Sequence, residues 1–115
     1  MNFIDLFSGA GGLSEGFIKA GFNPIAHVEL DSHACNTLET RLVYHKLKHE
    51  NNLDHYNDYL NDKITRENFI SKFGDKFLSE SVLNIGIGDK NNKVIFDKID
   101  DLAGNKEIDL VIGGP

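Results

Sequence analysis

The chain reads as an α/β protein built on a parallel sheet. Three observations predict this. Ile4, Leu6 and Phe7 form an apolar run that leads straight into a glycine-rich stretch, Ser8-Gly9-Ala10-Gly11-Gly12. Strand-like runs then alternate with segments of helical periodicity. A final apolar run, Ile108-Asp109-Leu110-Val111-Ile112, ends in Gly113-Gly114-Pro115. The order β-α-β-α-insert-β-α-β implies right-handed crossovers, with the ligand site at the carboxyl ends of the strands.

The first unit is strand, glycine loop, helix. Gly9, Gly11 and Gly12 open backbone angles closed to other residues and leave no Cβ in the way of a ligand. The helix runs from Leu13 to Ala20, with Leu13, Phe17 and Ala20 expected to face the sheet. Gly21 is placed to end it in a left-handed cap. After Pro24, Ile25 to Leu30 read as the second strand. Glu29 lies at its carboxyl end, about 20 residues beyond the loop, where a nucleotide site places its ribose-binding acid.

Asp31 or Ser32 caps the second helix, whose core face is Ala34, Leu38 and Leu42 and which reaches about Lys48. Residues 49–80 read as an insertion of short helices anchored by Leu53, Tyr56, Leu60, Phe69, Ile70, Phe73, Phe77 and Leu78, with Thr65 as a cap. Ser81 to Ile87 form the third strand, and Val94 to Ala103 a helix with Ile95, Ile99 and Leu102 inward and Gly104 as its stop.

Composition limits the function classes. The chain has 115 residues, a 40% hydrophobic and 26% charged content, and a net charge of −6. That balance lacks the basic face of a self-contained nucleic-acid binder. No apolar run approaches the roughly 20 residues needed to span a bilayer. A single cysteine, Cys35, excludes an internal disulfide and fits a reducing, cytoplasmic setting. A strand followed by a turn at residues 108–115 suggests a fragment of a larger domain.

The loop narrows the ligand. Ser14 stands where the dinucleotide fingerprint wants its third glycine, and the Walker lysine is missing. Asp5 and Glu29 make the site negative, which disfavours a pyrophosphate and suits a positively charged ligand carrying a ribose diol. S-adenosylmethionine has both features, with Glu29 on the ribose hydroxyls and Leu30 on the adenine face. Taken singly, the glycines could serve strand–helix packing and Glu29 could be a solvated strand end; their spacing favours the ligand. Cys35 and the pair His45 and His49 invite a nucleophile and a zinc site. Cys35 reads better as a packing residue, the histidines as a solvated helix face, Asp97, Asp100 and Asp101 as an exposed helix side, and Tyr56 and Tyr59 as anchors of the insertion.

Asp5-Leu6-Phe7-Ser8-Gly9-Ala10-Gly11-Gly12-Leu13-Ser14-Glu15-Gly16-Phe17 resembles the first motif of the DNA (cytosine-5) methyltransferases. His27-Val28-Glu29-Leu30-Asp31 resembles their second motif, and Asp109 to Pro115 the start of their fourth. The resemblance implies the N-terminal portion of a Rossmann-like, S-adenosylmethionine-dependent methyltransferase domain, with a helical insertion at about 49–80. It implies a cofactor site of Asp5, Phe7, Ser8, Gly9, Ala10, Gly11, Gly12, Glu29, Leu30 and Gly114, with no metal. Phe7, Gly9, Gly11 and Gly12 cradle the methionine part, and Asp5 supports the loop. The family's third motif, which meets the adenine edge, has only the candidates Asn84 to Ile87 and Asp89.

The family's reaction flips a cytosine from the duplex and adds a cysteine thiolate to C6, so that C5 takes the methyl group. The resemblance places that cysteine just after Pro115, and the target-recognition region further on, so residues 1–115 are expected to hold cofactor but not to catalyse. It implies double-stranded DNA as substrate and a restriction–modification setting with a cognate endonuclease. An RNA cytosine methyltransferase, a non-catalytic S-adenosylmethionine-binding module and a dinucleotide oxidoreductase are the alternatives.

Overall fold

The structure, a computed structural model, describes residues 1–114; Pro115, the last residue of the stretch that resembles the start of the fourth motif, lies outside the described residues. The elements run β1 (Asn2–Leu6), α1 (Gly12–Lys19), β2 (Asn23–Glu29), α2 (Ser32–His49), α3 (Leu53–Leu60), α4 (Arg66–Phe73), α5 (Lys76–Ser81), β3 (Val82–Asn84), α6 (Asn92–Ala103) and β4 (Leu110–Gly113). All strand pairings are parallel, in the order β3-β2-β1-β4. The chain builds outward from β1 to β3, then crosses back through α6 to the other side of β1. The strand order therefore reverses between β1 and β4, and a parallel sheet opens its ligand crevice at such a point. The fold is the α/β architecture expected of the N-terminal part of a Rossmann-like methyltransferase.

Two apolar faces hold the sheet. Ile4, Val28 and Leu83 pack against Ile95, Ile99 and Ala103 of α6. Each of the Ile, Val and Leu side chains contributes about 1.5–3 kcal/mol through burial. The other face carries Phe3, whose ring meets Phe17 of α1 at 5.6 Å. Pro24 is tolerated inside β2 because the register slips there, between Phe3 and Ile4, and because β3 pairs only with His27 to Glu29.

Helix ends follow local chemistry. The Asp31 carboxylate accepts from the N–H groups of His33 and Ala34, and Thr65 Oγ1 accepts from Asn68. Gly21 has φ +91, and the N–H groups of Gly21 and Phe22 close onto Ile18 and Phe17, with the Phe17 and Phe22 rings in edge contact at 5.4 Å. This is a left-handed cap with its accompanying apolar contact. Gly104 ends α6 at φ +56.

Residues 49–80 are an insertion of short helices with its own core. Phe69 is fully buried between α2 residues Val43 and Leu47, among Tyr56, Tyr59 and Phe73. Tyr59 stacks on Phe69 at 4.8 Å, so both tyrosines serve as anchors.

Several expectations need correction. In α1, Leu13 and Ala20 are exposed; Ser14 is buried, with Phe17 and Ile18 partly so. The helix phase is set by Ser14, whose hydroxyl bonds buried His27. Phe7 is not in β1 but turns out of it at φ +55. Leu60 and Phe77 are exposed rather than anchoring. β3 is three residues long because Ser81 still belongs to α5 and Ile85 turns back to bond Leu83. β4 begins at Leu110, since the Asp109 carboxylate is engaged by the N–H of Asn2 at 2.7 Å. His45 is not on a solvated face: it is half-buried and bonds Glu15 at 2.9 Å, whereas His49 is exposed.

Candidate cofactor site

β1 delivers the glycine loop to the crevice, and left-handed backbone shapes it. Phe7, Gly9 and Gly11 have φ of +55, +55 and +91. For a bulky residue such as Phe7 this conformation costs on the order of 1–3 kcal/mol. The strain turns its ring out of the sheet, where it is 45% exposed. Ser8 goes the other way. Its N–H and hydroxyl both donate to the Val28 carbonyl, at 3.1 and 3.4 Å, anchoring the loop to β2.

The glycines divide by role. A Cβ on Gly11 would lie 2.7 Å from Leu38 Cδ2, so Gly11 lets α1 close onto α2. A Cβ on Gly113 would strike the Leu6 carbonyl, so Gly113 lets β4 approach β1. At Gly9, Gly12 and Gly114 a Cβ would meet nothing within 4 Å. These three line open space at the strand ends. Among the described residues no side chain caps α1, so the first N–H groups of the helix remain for an anionic group such as a carboxylate.

Glu29 joins the loop to the second strand. Its Oε1 accepts the N–H of Gly9 at 2.9 Å, and its Oε2 accepts the N–H of Asp31 at 2.8 Å. Each oxygen keeps a further lone pair, so the oriented carboxylate can accept two vicinal hydroxyls. Leu30, 72% exposed, stands beside it as an apolar platform. Gly86 lies under Leu30: a Cβ there would be 3.3 Å from Leu30 Cδ1. Asn84 supports this corner: with its amide oriented so that the nitrogen faces them, it donates to the carbonyls of Leu30 at 2.7 Å and Glu29 at 3.3 Å. That bond turns the Asn84 side chain back onto β2, while Asp89 is exposed in the turn before α6.

Beneath the loop lies a buried polar layer. Asp5 and His27 are cross-strand partners, each 1% exposed. Neither oxygen of Asp5 nor Nδ1 of His27 has a hydrogen-bond partner among the described residues. Burial pushes the Asp5 carboxyl up to about 6 and the His27 imidazole down to about 4. Asp5 thus makes no hydrogen bond to the loop. Cys35 is also buried; its thiol donates to the Glu29 carbonyl at 3.4 Å, and burial raises its pKa, so it is not an activated nucleophile.

Of the residues singled out from the sequence, Phe7, Gly9, Gly12, Glu29, Leu30 and Gly114 fall at the carboxyl ends of β1, β2 and β4. Ala10 is exposed at the tip of the loop. Ser8 and Gly11 lie beneath it as support, and Asp5 is buried below them without a bond to the loop. Sequence reasoning missed Asn84's bond to Leu30 and a cluster of Glu15, Arg41 and His45 beside the loop. The latter has no local signal, because its members are 26 and 30 residues apart.

The donor set suits a cation with a ribose diol and an adenine: a carboxylate for the diol, an apolar side chain for the ring, free helix N–H groups for a carboxylate, and no Lys or Arg in the loop. Two larger concavities lie elsewhere. One of about 810 Å³ runs along the outer edge of β3, between α5 and α6. Another of about 770 Å³ lies at the amino ends of the strands. Neither includes the glycine loop or Glu29. Among the described residues no group of three His, Cys, Asp or Glu could hold a metal ion, and no helix is long and apolar enough to cross a membrane.

The chain is similar to known proteins along its whole length. Residues 1–72 match the family model for C-5 cytosine-specific DNA methylases. The whole chain aligns at 39% identity with 30% of the type II methyltransferase M.Bpa9945I of Bacillus paralicheniformis. At 45% identity, 41% of the chain aligns with 13% of the type II methyltransferase M1.HphI of Haemophilus parahaemolyticus. At 54% identity, 32% of it aligns with 9% of the type II methyltransferase M.DdeI of Desulfomicrobium norvegicum. The chain therefore spans less than a third of the length of these relatives. No solved structure matches it.

Proposed function

The chain belongs to the C-5 cytosine-specific DNA methylase family, and from that membership we propose that it is the cofactor-binding N-terminal portion of a DNA cytosine-5 methyltransferase. The observation that carries this reading is the Glu29 carboxylate, fixed between the N–H groups of Gly9 and Asp31 beside open space at Gly9 and Gly12. S-adenosylmethionine, when bound, supplies an electrophilic methyl group. Glu29 accepts its ribose hydroxyls, Leu30 lies against the adenine, and Phe7, Gly9, Gly12 and Gly114 bound the methionine part. Ser8 and Gly11 hold the loop from below.

Residues 1–115 are in this reading an incomplete methyltransferase domain. The span of 30% of M.Bpa9945I supports it. Buried Cys35, with its thiol on the Glu29 carbonyl, supports a nucleophile contributed from outside these residues. The net charge of −6 supports DNA contacts made elsewhere in a longer protein. The relatives are named as type II methyltransferases, which supports modification of duplex DNA in the cytoplasm beside an endonuclease that reads the same site. The alternatives of an RNA methyltransferase and a non-catalytic module gain no support from these relatives.

The test is methyl transfer. The full-length gene product is incubated with methyl-labelled S-adenosylmethionine and duplex DNA, and the DNA is digested to nucleosides. Label in 5-methylcytosine is expected; label on adenine, or on no nucleic acid tested, overturns the proposal.

A further inference from the structure

Glu15 sits one turn after the glycine loop, and its N–H donates to the Gly11 carbonyl at 2.9 Å. Its carboxylate takes both Nε and Nη2 of Arg41, at 2.9 and 3.1 Å, and Nε2 of His45 at 2.9 Å. The Arg41 hydrogen bonds hold the Glu15 carboxyl down at about 2. Arg41 lies on α2. Ten residues earlier, α2 is capped by Asp31, whose N–H is the one that Glu29 Oε2 accepts. A closed circuit results: Gly9 to Glu29, Glu29 to Asp31, along α2 to Arg41, across to Glu15 and back to Gly11. Ten helical residues form a stiff strut of about 15 Å.

The far side of the strut meets the insertion. The Arg41 guanidinium lies 4.1 Å from the Tyr44 ring centroid, and Tyr44 packs on Tyr56 of α3 at 4.8 Å. Tyr56 in turn packs against Phe69, at the centre of the insertion core.

We infer that Glu15 and Arg41 form a positioning clamp that sets the glycine loop against Glu29, and that residues 49–80 stiffen it through Tyr44 and Tyr56. The insertion thereby governs cofactor affinity without touching the cofactor. This rests on the cofactor reading given above. With side chains 32% and 21% exposed, the pair is half-buried and bidentate, so it fixes orientation as well as adding to stability.

The test uses the full-length gene product with Glu15→Gln, Arg41→Lys, the exchange Glu15→Arg with Arg41→Glu, and Tyr56→Leu. Three quantities are read: the Kd for S-adenosylhomocysteine by calorimetry, the urea midpoint, and amide hydrogen exchange at residues 9–14. Glu15→Gln, Arg41→Lys and Tyr56→Leu should each weaken binding roughly 2- to 30-fold and speed exchange at Gly12 to Ser14, by more than the accompanying change in urea midpoint accounts for, a change smallest in Arg41→Lys because the charge is kept. The charge exchange should restore most of the affinity. Wild-type affinity and wild-type exchange in Arg41→Lys would overturn the clamp while leaving the cofactor site standing. So would affinity losses that only track the urea midpoint. If the wild-type protein bound no S-adenosylhomocysteine yet exchange at Gly12 to Ser14 still quickened in Arg41→Lys, the clamp would stand and the cofactor reading would fall.

Discussion

Gly11→Ala and Gly12→Ala are adjacent, chemically identical changes with opposite expected outcomes. At Gly11 the backbone has φ +91, and the new methyl would sit 2.7 Å from Leu38 Cδ2. An L-residue in left-handed backbone costs roughly 1–2 kcal/mol. Leu38 is 2% exposed and cannot swing into solvent, so repacking adds about 1–3 kcal/mol. The sum, about 2–5 kcal/mol, is a large part of the roughly 5–15 kcal/mol that holds a domain together. At Gly12 there is no positive φ and nothing within 4 Å, so the same methyl costs little stability and protrudes into the crevice instead. Urea denaturation should therefore show a large drop in midpoint for Gly11→Ala and almost none for Gly12→Ala. Calorimetry with S-adenosylhomocysteine should show weakened binding for Gly12→Ala. In a Leu38→Ala background, Gly11→Ala should keep only its backbone cost, about 1–2 kcal/mol. Equal midpoints for the two variants, or no coupling between positions 11 and 38, would refute the division of the glycines into packing and ligand-facing positions.

Glu29→Ala should weaken cofactor binding by about 1–3 kcal/mol through lost charge-assisted hydrogen bonds, read by calorimetry; unchanged affinity would remove the ribose role. Asp5 and His27 make opposing pH terms. With Asp5 raised to about 6, the folded state binds the extra proton, so this term lowers stability as pH rises from about 4 to 6. With His27 lowered to about 4, the unfolded state binds the extra proton between about 4 and 6.5, so this term raises stability over that range. Asp5→Asn should expose the rising slope and His27→Gln the falling one, at most about 1.4 kcal/mol per pH unit each, in urea midpoints taken across pH 4–7. β4 is an edge strand with Val111 60% exposed, so the isolated chain should self-associate and Val111→Lys should reduce this in sedimentation.

What was legible in the sequence was local chemistry. Asp31 and Thr65 cap helices, and Gly21 and Gly104 end them, because each acts within a few residues of itself. The loop and Glu29 were legible because parallel strand order brings the ends of β1 and β2 together, so a spacing of 20 residues becomes a contact of 2.9 Å. The phase of α1 was not legible. Periodicity favoured Leu13 as the buried residue, but Ser14 has a buried partner in His27, and a hydrogen bond across 13 residues leaves no mark on local hydropathy. The same holds for the Arg41–Glu15 pair. Ser81 to Ile87 read as one strand because its apolar residues are needed in the core, yet Ile85 and Ile87 reach that core from a loop.

The most direct test of the central claim is the structure of the full-length gene product with S-adenosylhomocysteine bound. It should place the ribose hydroxyls on the two oxygens of Glu29, the adenine against Leu30, and the amino-acid end between Phe7 and the N–H groups that follow Gly11. A ligand seated in the cavity between α5, β3 and α6, or a Glu29 carboxylate that keeps only its bonds to Gly9 and Asp31, would contradict it.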